Sequence, residues 1–141
     1  MNSILDACAL LAFLNDEEGA DVVESLLNQA ASGETVVFMS IVNLLEAYYG
    51  ELRDKGAETA RIVLDAVQYH SIKIIENISQ TFFHEAARLK AAHKMSFADA
   101  IGLAIAIELS GQFVTSDHHE LEEVERQESI SFLWLPPKPK K

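Results

Sequence analysis

The chain has 141 residues, the length of one ordinary domain, and 49% of them are hydrophobic against 23% charged. Those proportions predict a packed core and exclude a disordered or low-complexity chain. The formal net charge of -11 excludes simple polyanion binding through surplus Lys and Arg, and leaves solubility or neutralisation of bound cations to explain the acidity.

Short apolar runs alternate with longer amphipathic segments, which predicts an α/β fold with a mostly parallel sheet. The first strand is Ser3 to Leu5, ending at Asp6, and a helix follows through Leu14. A second helix, Glu17 to Ala31, places Val22, Val23, Leu26 and Leu27 on one side, and Ser32-Gly33 stops it. Val36 to Met39 is the second strand, and Ser40 caps a helix from Ile41 to Lys55 that Gly56 ends. Another helix covers Ala57 to Tyr69, and the third strand is Ile72 to Ile75. Ser79 caps a helix reaching His93, and Ser96 caps the next, with Asp99 in a capping-box position and Gly111 at its end. Phe113 to Thr115 is the fourth strand, Glu120 to Arg126 a short helix, and Ile130 to Leu135 the fifth strand. One domain is therefore expected over residues 1–135, with a stiff, basic tail from Pro136 to Lys141.

Met1-Asn2-Ser3 carries no basic residue and Asp6 interrupts the first apolar run, so no secretory leader is expected. The most apolar stretch, 97–109, is too short to span a bilayer and contains Asp99 and Glu108, so no membrane association is expected. Cys8 is the one cysteine, which rules out an internal disulfide and suits a reducing compartment.

Four carboxylates stand out by position. Asp6 ends the first strand and Asp117 follows the fourth, and ligands of open parallel sheets bind beyond the carboxyl ends of strands, where strand order reverses. Glu46 lies in the helix after the second strand, within N-L-L-E-A-Y-Y-G. Asp99 is the early acid of the apolar helix S-F-A-D-A-I-G-L-A-I-A-I, which should be buried on most sides. Each also has a plainer role open to it. Asp6 and Asp99 can cap helices, Glu46 can sit on a solvated stripe with Asn43, Gly50 and Arg53, and Asp117 can close a turn.

Oxygen-only donors favour Mg²⁺ or Mn²⁺, which polarise phosphoryl oxygens and activate water. Without a cation such acids repel: at about 4 Å and an effective dielectric near 20, each pair costs roughly 4 kcal/mol. A raised carboxyl pKa is therefore expected in the metal-free site.

At these residues the sequence resembles the PIN-domain nucleases, in particular the VapC-like toxins of type II toxin–antitoxin pairs. The matching segments are I-L-D-A-C-A-L-L-A-F-L (4–14), S-I-V-N-L-L-E-A-Y-Y-G (40–50), S-F-A-D-A-I-G-L-A-I-A (96–106) and F-V-T-S-D-H-H-E-L (113–121). The resemblance implies a three-layer α/β/α fold with a five-stranded parallel sheet in the order 3-2-1-4-5. It implies cytoplasmic, Mg²⁺- or Mn²⁺-dependent cleavage of RNA with one or two ions. It carries the catalytic and metal-holding roles onto Asp6, Glu46, Asp99 and Asp117, and a supporting role onto Thr115. It also implies a cognate antitoxin and a homodimer. Cys8 stands where the family often has Ser or Thr, and Glu120 is the nearest equivalent of a further Asp often found after the fourth acid.

Arg53, Lys55, Arg61, Arg88, Lys90, Lys94 and the tail lysines are the cations that could meet phosphate, although each group also reads as a solvated helix face. Tyr48 and Tyr49 read as helix packing more readily than as base-stacking residues. His84 and His93 read as surface residues, and His118-His119 lacks a zinc-spaced partner. Trp134 reads as core or interface. Two other functions fit an acidic α/β pocket: a PIN-like protein-binding module that no longer cuts, and a phospho-receiver domain. The receiver needs a lysine just past the fifth strand, where Leu135-Pro136-Pro137 stands and Lys138 is displaced.

Overall fold

The computed structural model describes residues 1–137, so Lys138 to Lys141 of the expected basic tail lie outside the described residues. The strands are β1 (Ser3–Leu5), β2 (Val37–Ser40), β3 (Lys73–Ile75), β4 (Gln112–Thr115) and β5 (Ser131–Trp134). The helices are α1 (Ala7–Leu14), α2 (Ala20–Ala31), α3 (Ile41–Lys55), α4 (Ala57–Tyr69), α5 (Gln80–Ala92), α6 (Phe97–Glu108) and α7 (His118–Gln127). The five strands form one parallel sheet in the order β3-β2-β1-β4-β5, as the resemblance implies. The chain builds outward from β1 to β3, then crosses back to place β4 on the other side of β1. Strand order therefore reverses between β1 and β4, which opens a crevice at their carboxyl ends.

Strand alternation feeds two cores. Leu5, Val37, Met39 and Val114 join Leu10, Val23, Leu27 and Val63 on one face of the sheet. Ile4 and Phe113 join Leu89, Leu103, Leu121 and Val124 on the other. Every strand is short, so burial of both faces rather than strand length holds the sheet together.

β2, β3, β4 and β5 are shifted by a residue at one or both ends, and three helix ends differ from expectation for a local reason. α2 begins at Ala20 rather than Glu17, because Asp16 (φ 51) and Gly19 (φ 98) turn the chain through left-handed backbone. α7 begins at His118 rather than Glu120, because Asp117 caps it by accepting the Glu120 N–H at 3.3 Å. α6 ends at Glu108, and Ser110 (φ 50), not Gly111, takes the left-handed position after it. Gly111 is needed for space: a Cβ there would lie 2.7 Å from the Asn2 carbonyl oxygen.

His93 is also not the surface residue expected. Its side chain is 6% exposed and its Nε2 lies 2.7 Å from Glu128, which also receives Arg88 at 2.9 Å, so the three tie α5 to the turn after α7. Trp134 is half-buried on β5, stacked on Phe132 and donating its indole N–H to Glu125 at 2.9 Å. No helix among the described residues is long and apolar enough to cross a membrane.

Candidate active site

The register pairs Leu5 with Val114, so the next residues along the two strands, Asp6 and Thr115, stand side by side at the crevice. Asp6 Oδ1 accepts the Ala9 N–H at 2.8 Å, capping α1, while Asp6 Oδ2 accepts the Thr115 hydroxyl at 2.5 Å. The same hydroxyl accepts the Asp117 N–H at 3.0 Å. Thr115 thus fixes the side chain of the first acid and the backbone of the fourth, and the two acids become neighbours through one fully buried side chain.

Asp99 reaches the crevice from α6. Ser96 caps that helix by accepting the Asp99 N–H at 3.1 Å, which sets the first turn. One turn on, Gly102 packs against β4, where a Cβ would lie 2.6 Å from Phe113 Cε1 and 3.1 Å from Asn43 Oδ1. That close approach seats α6 deep enough for Asp99 to be buried at the cavity wall. Glu46 comes from α3, which Ser40 caps by accepting the Asn43 N–H at 3.0 Å. Glu46 stays on the exposed rim.

All four predicted acids line one cavity of about 760 Å³, together with Glu120, Cys8, Tyr49, Arg53, Lys90 and Lys94. The capping roles are also real: Asp6 and Asp117 cap helices through their side chains, so for these two the plain and the functional readings coexist. Among the described residues, no group of three or more His, Cys, Asp or Glu side chains converges closely enough, as placed, to hold a metal ion. The acids therefore border a common space without forming a closed cage.

The electrostatics follow from this crowding. Burial, above all, pushes the Asp6 carboxyl up to about 7; the bonds from Thr115 and Ala9 oppose the rise, and the charges of Asp99 and Asp117 add to it. Asp99 is likewise pushed up to about 7, first by burial and then by Asp117 and Glu46. Glu46 is raised by partial burial and by Asp117. The site carries more negative potential than its own groups relieve.

Three cations stand on the rim. Arg53 lies over the Tyr49 ring at 5.3 Å and bonds Asp54, and Lys90 Nζ donates to the Met95 carbonyl at 2.7 Å. Lys94 is exposed beside them. The other named cations are engaged or placed elsewhere: Lys55 pairs with Glu51 at 3.3 Å, and Arg88 with Glu85 and Glu128. Both ring nitrogens of His118 have hydrogen-bond partners. Its Nε2 lies 2.7 Å from the Leu135 carbonyl and its Nδ1 2.8 Å from Glu122. For Tyr49 the sequence favours helix packing over base stacking, but the side chain is 54% exposed at the cavity edge. Its place two residues after Ala47, the buried face of α3, was the available signal.

A profile of the PIN domain matches residues 3–127. The chain belongs to the PIN-domain family. Among solved structures, this PIN domain is similar to VapBC2 from Rickettsia felis, solved with a DNA fragment of its promoter. The identity is 18% over 96% of this chain and 99% of that one, with a TM-score of 0.74. It is similar to VapBC-1 from nontypeable Haemophilus influenzae at 12% identity, covering 95% and 98% of the two chains with a TM-score of 0.68. It is also similar to VapC20 of Mycobacterium tuberculosis, described as a sarcin-ricin loop cleaving toxin. There the identity is 17%, the coverage 86% and 94%, and the TM-score 0.66. At these identities the likeness is one of fold. No curated protein sequence matches the chain. Membership of the PIN family removes the phospho-receiver reading.

Proposed function

We propose that this PIN domain is a Mg²⁺- or Mn²⁺-dependent endoribonuclease that hydrolyses RNA phosphodiester bonds, with Asp6, Glu46, Asp99 and Asp117 as its catalytic, ion-holding acids. The observation that carries the proposal is the meeting of all four around one cavity, with Asp6 and Asp117 joined through Thr115. The donor set fits a hydrated Mg²⁺ or Mn²⁺. All donors are oxygens, and such an ion keeps several waters and needs only one or two carboxylates, so a closed cage is not required. The raised pKa values of Asp6 and Asp99 fit as well: burial first, and neighbouring negative charge second, disfavour bare carboxylates there, and a bound cation offsets both. When bound, the ion supplies Lewis-acid stabilisation of charge on the phosphate and makes water more acidic.

The chain's own groups do the positioning. Thr115 and Ala9 hold both oxygens of Asp6 in a fixed orientation, and each oxygen keeps a further lone pair. Asp99, buried on α6, lines the same space. Glu46, on the open rim, is placed to orient a water entering from solvent. Arg53, Lys90 and Lys94 flank the acids, and there they attract flanking phosphates that the acidic floor repels.

The same reading makes the protein the toxin of a toxin–antitoxin pair, held by a cognate antitoxin and able to form a homodimer. The names of the similar structures, VapBC assemblies and a sarcin-ricin loop cleaving toxin, support it. The test is cleavage of total cellular RNA by the purified, partner-free chain with Mg²⁺ or Mn²⁺, followed by mapping of new 5′ ends. Wild type is expected to cut and Asp99→Asn to lose nearly all activity while still folding. Full activity in Asp99→Asn overturns the mechanism. The net charge of -11 and the open acid arrangement favour one second reading, a PIN-like module that binds a protein without cutting. Wild type that binds Mn²⁺ and leaves every RNA intact would support that reading instead.

A further inference from the structure

A second recess of about 390 Å³, lined by Val42, Leu45, Glu46, Tyr49 and Ala98, adjoins the acid cavity. Glu46 and Tyr49 border both spaces. Apart from Glu46, every lining residue is apolar or aromatic, and Leu45 and Tyr49 are 62% and 54% exposed. The Arg53 guanidinium lies over the Tyr49 ring, 5.3 Å from its centroid, and itself lines the acid cavity.

An exposed aromatic ring, a planar guanidinium and an apolar floor are the parts from which single-stranded nucleic-acid sites build a stacking platform. The position of this platform matters more than its composition. It begins at Glu46, so a ligand whose phosphate meets the acids would have its adjoining base within reach of Tyr49. We infer that the Tyr49 shelf receives the base next to the scissile phosphate, so that Tyr49 helps to select which nucleotide stands at the cut. This rests on the nuclease reading and adds a specificity-determining residue to it. Three features favour a nucleotide over an apolar protein segment: the shelf shares Glu46 and Tyr49 with the acid cavity, Glu46 interrupts its apolar lining, and a guanidinium lies over its tyrosine ring.

The experiment uses a short single-stranded oligoribonucleotide that the wild-type chain cuts, with 2-aminopurine placed in turn on each side of the cut phosphate. Fluorescence is read in chelator, where binding is measured without cleavage, and cleavage is then started with Mn²⁺. Quenching is expected at one of the two positions with wild type and Tyr49→Phe, and not with Tyr49→Ala. Tyr49→Ala is expected to raise KM by about tenfold with little change in kcat, consistent with loss of one stacked base. Circular dichroism checks that the variants fold. If wild type cuts and Tyr49→Ala keeps both the quenching and the KM, the shelf proposal falls while the nuclease reading stands. If wild type cuts no oligoribonucleotide, yet quenches a 2-aminopurine strand in a way that Tyr49→Ala abolishes, the shelf stands as a base-binding site and the nuclease reading falls. If Tyr49→Ala binds RNA normally but loses a co-purifying protein partner, the shelf is a protein-docking face and the inference is overturned.

Discussion

Thr115 donates its hydroxyl hydrogen to Asp6 Oδ2 at 2.5 Å across the point where the sheet reverses its strand order, and accepts the Asp117 N–H at 3.0 Å. One buried hydroxyl satisfies a carboxylate and a backbone amide that belong to different halves of the fold. Thr115→Val keeps the shape and removes both bonds. Leaving a buried acceptor and a buried donor unpaired costs about 1–3 kcal/mol each at most, with partial relief by water. The expected outcome is a fall in the urea midpoint and a large loss of RNA cleavage, with Thr115→Ser restoring most of both. Equal cleavage by wild type and Thr115→Val would remove Thr115 from the site.

Asp99 is costly to the metal-free fold. It is buried, and the charges of Asp117 and Glu46 press on it. Asp99→Asn removes the charge and keeps the shape, so at pH 8 without metal the variant is expected to melt at or above the wild-type temperature. It should lose cleavage and lose the stabilisation that Mg²⁺ or Mn²⁺ confers on wild type. Differential scanning calorimetry with and without Mn²⁺ measures both effects, and a clearly lower melting temperature in the metal-free variant would contradict the account.

The pH dependence follows from the same strain. Asp6 and Asp99 both have folded-state pKa values of about 7, above the ordinary carboxylate range they adopt when unfolded. Between about pH 4 and 7 the folded chain therefore holds more protons than the unfolded one, and stability falls as pH rises through that window. The two acids interact, so the loss should appear as the titration of a pair. Urea midpoints of the metal-free protein are expected to decline from pH 5 to pH 8. Asp6→Asn and Asp99→Asn should each flatten the slope, and added Mn²⁺ should stabilise more at pH 8 than at pH 5. A metal-free midpoint that rises across this range would refute the argument.

The rim cations make a separate, ionic-strength prediction. Lys94→Gln and Arg53→Gln each remove one charge that faces the cavity mouth. Each is expected to weaken RNA binding and to reduce the slope of log affinity against log salt by about 0.7, the value for one single-strand phosphate contact. Arg61→Gln, whose residue does not line the cavity, is the control. Fluorescence anisotropy at three salt concentrations distinguishes the sets.

Much of the fold was legible in the chain because its signals are local. Ser40, Ser79 and Ser96 cap the helices they were expected to cap, since a serine hydroxyl needs only the N–H three residues ahead. Successive strand residues point to opposite faces, so Ile4 and Leu5, and Phe113 and Val114, enter different cores. The misplaced starts of α2 and α7 turned on backbone geometry at Asp16 and Gly19, and on a cap at Asp117 that doubles as a site residue.

The acids, the helices and strands that carry them, and their excess over nearby positive charge are all readable along the chain. Their meeting at one cavity comes from packing. The crossover that sets β4 beside β1 puts Thr115 next to Asp6, and Gly102 lets α6 press against Phe113. A raised carboxyl pKa was expected from repulsion among the acids, but burial, which depends on packing, is the larger cause at Asp6 and Asp99. The exposure of Tyr49 and the burial of His93 were decided the same way, because a side chain's partners across the fold depend on packing between elements far apart in the chain.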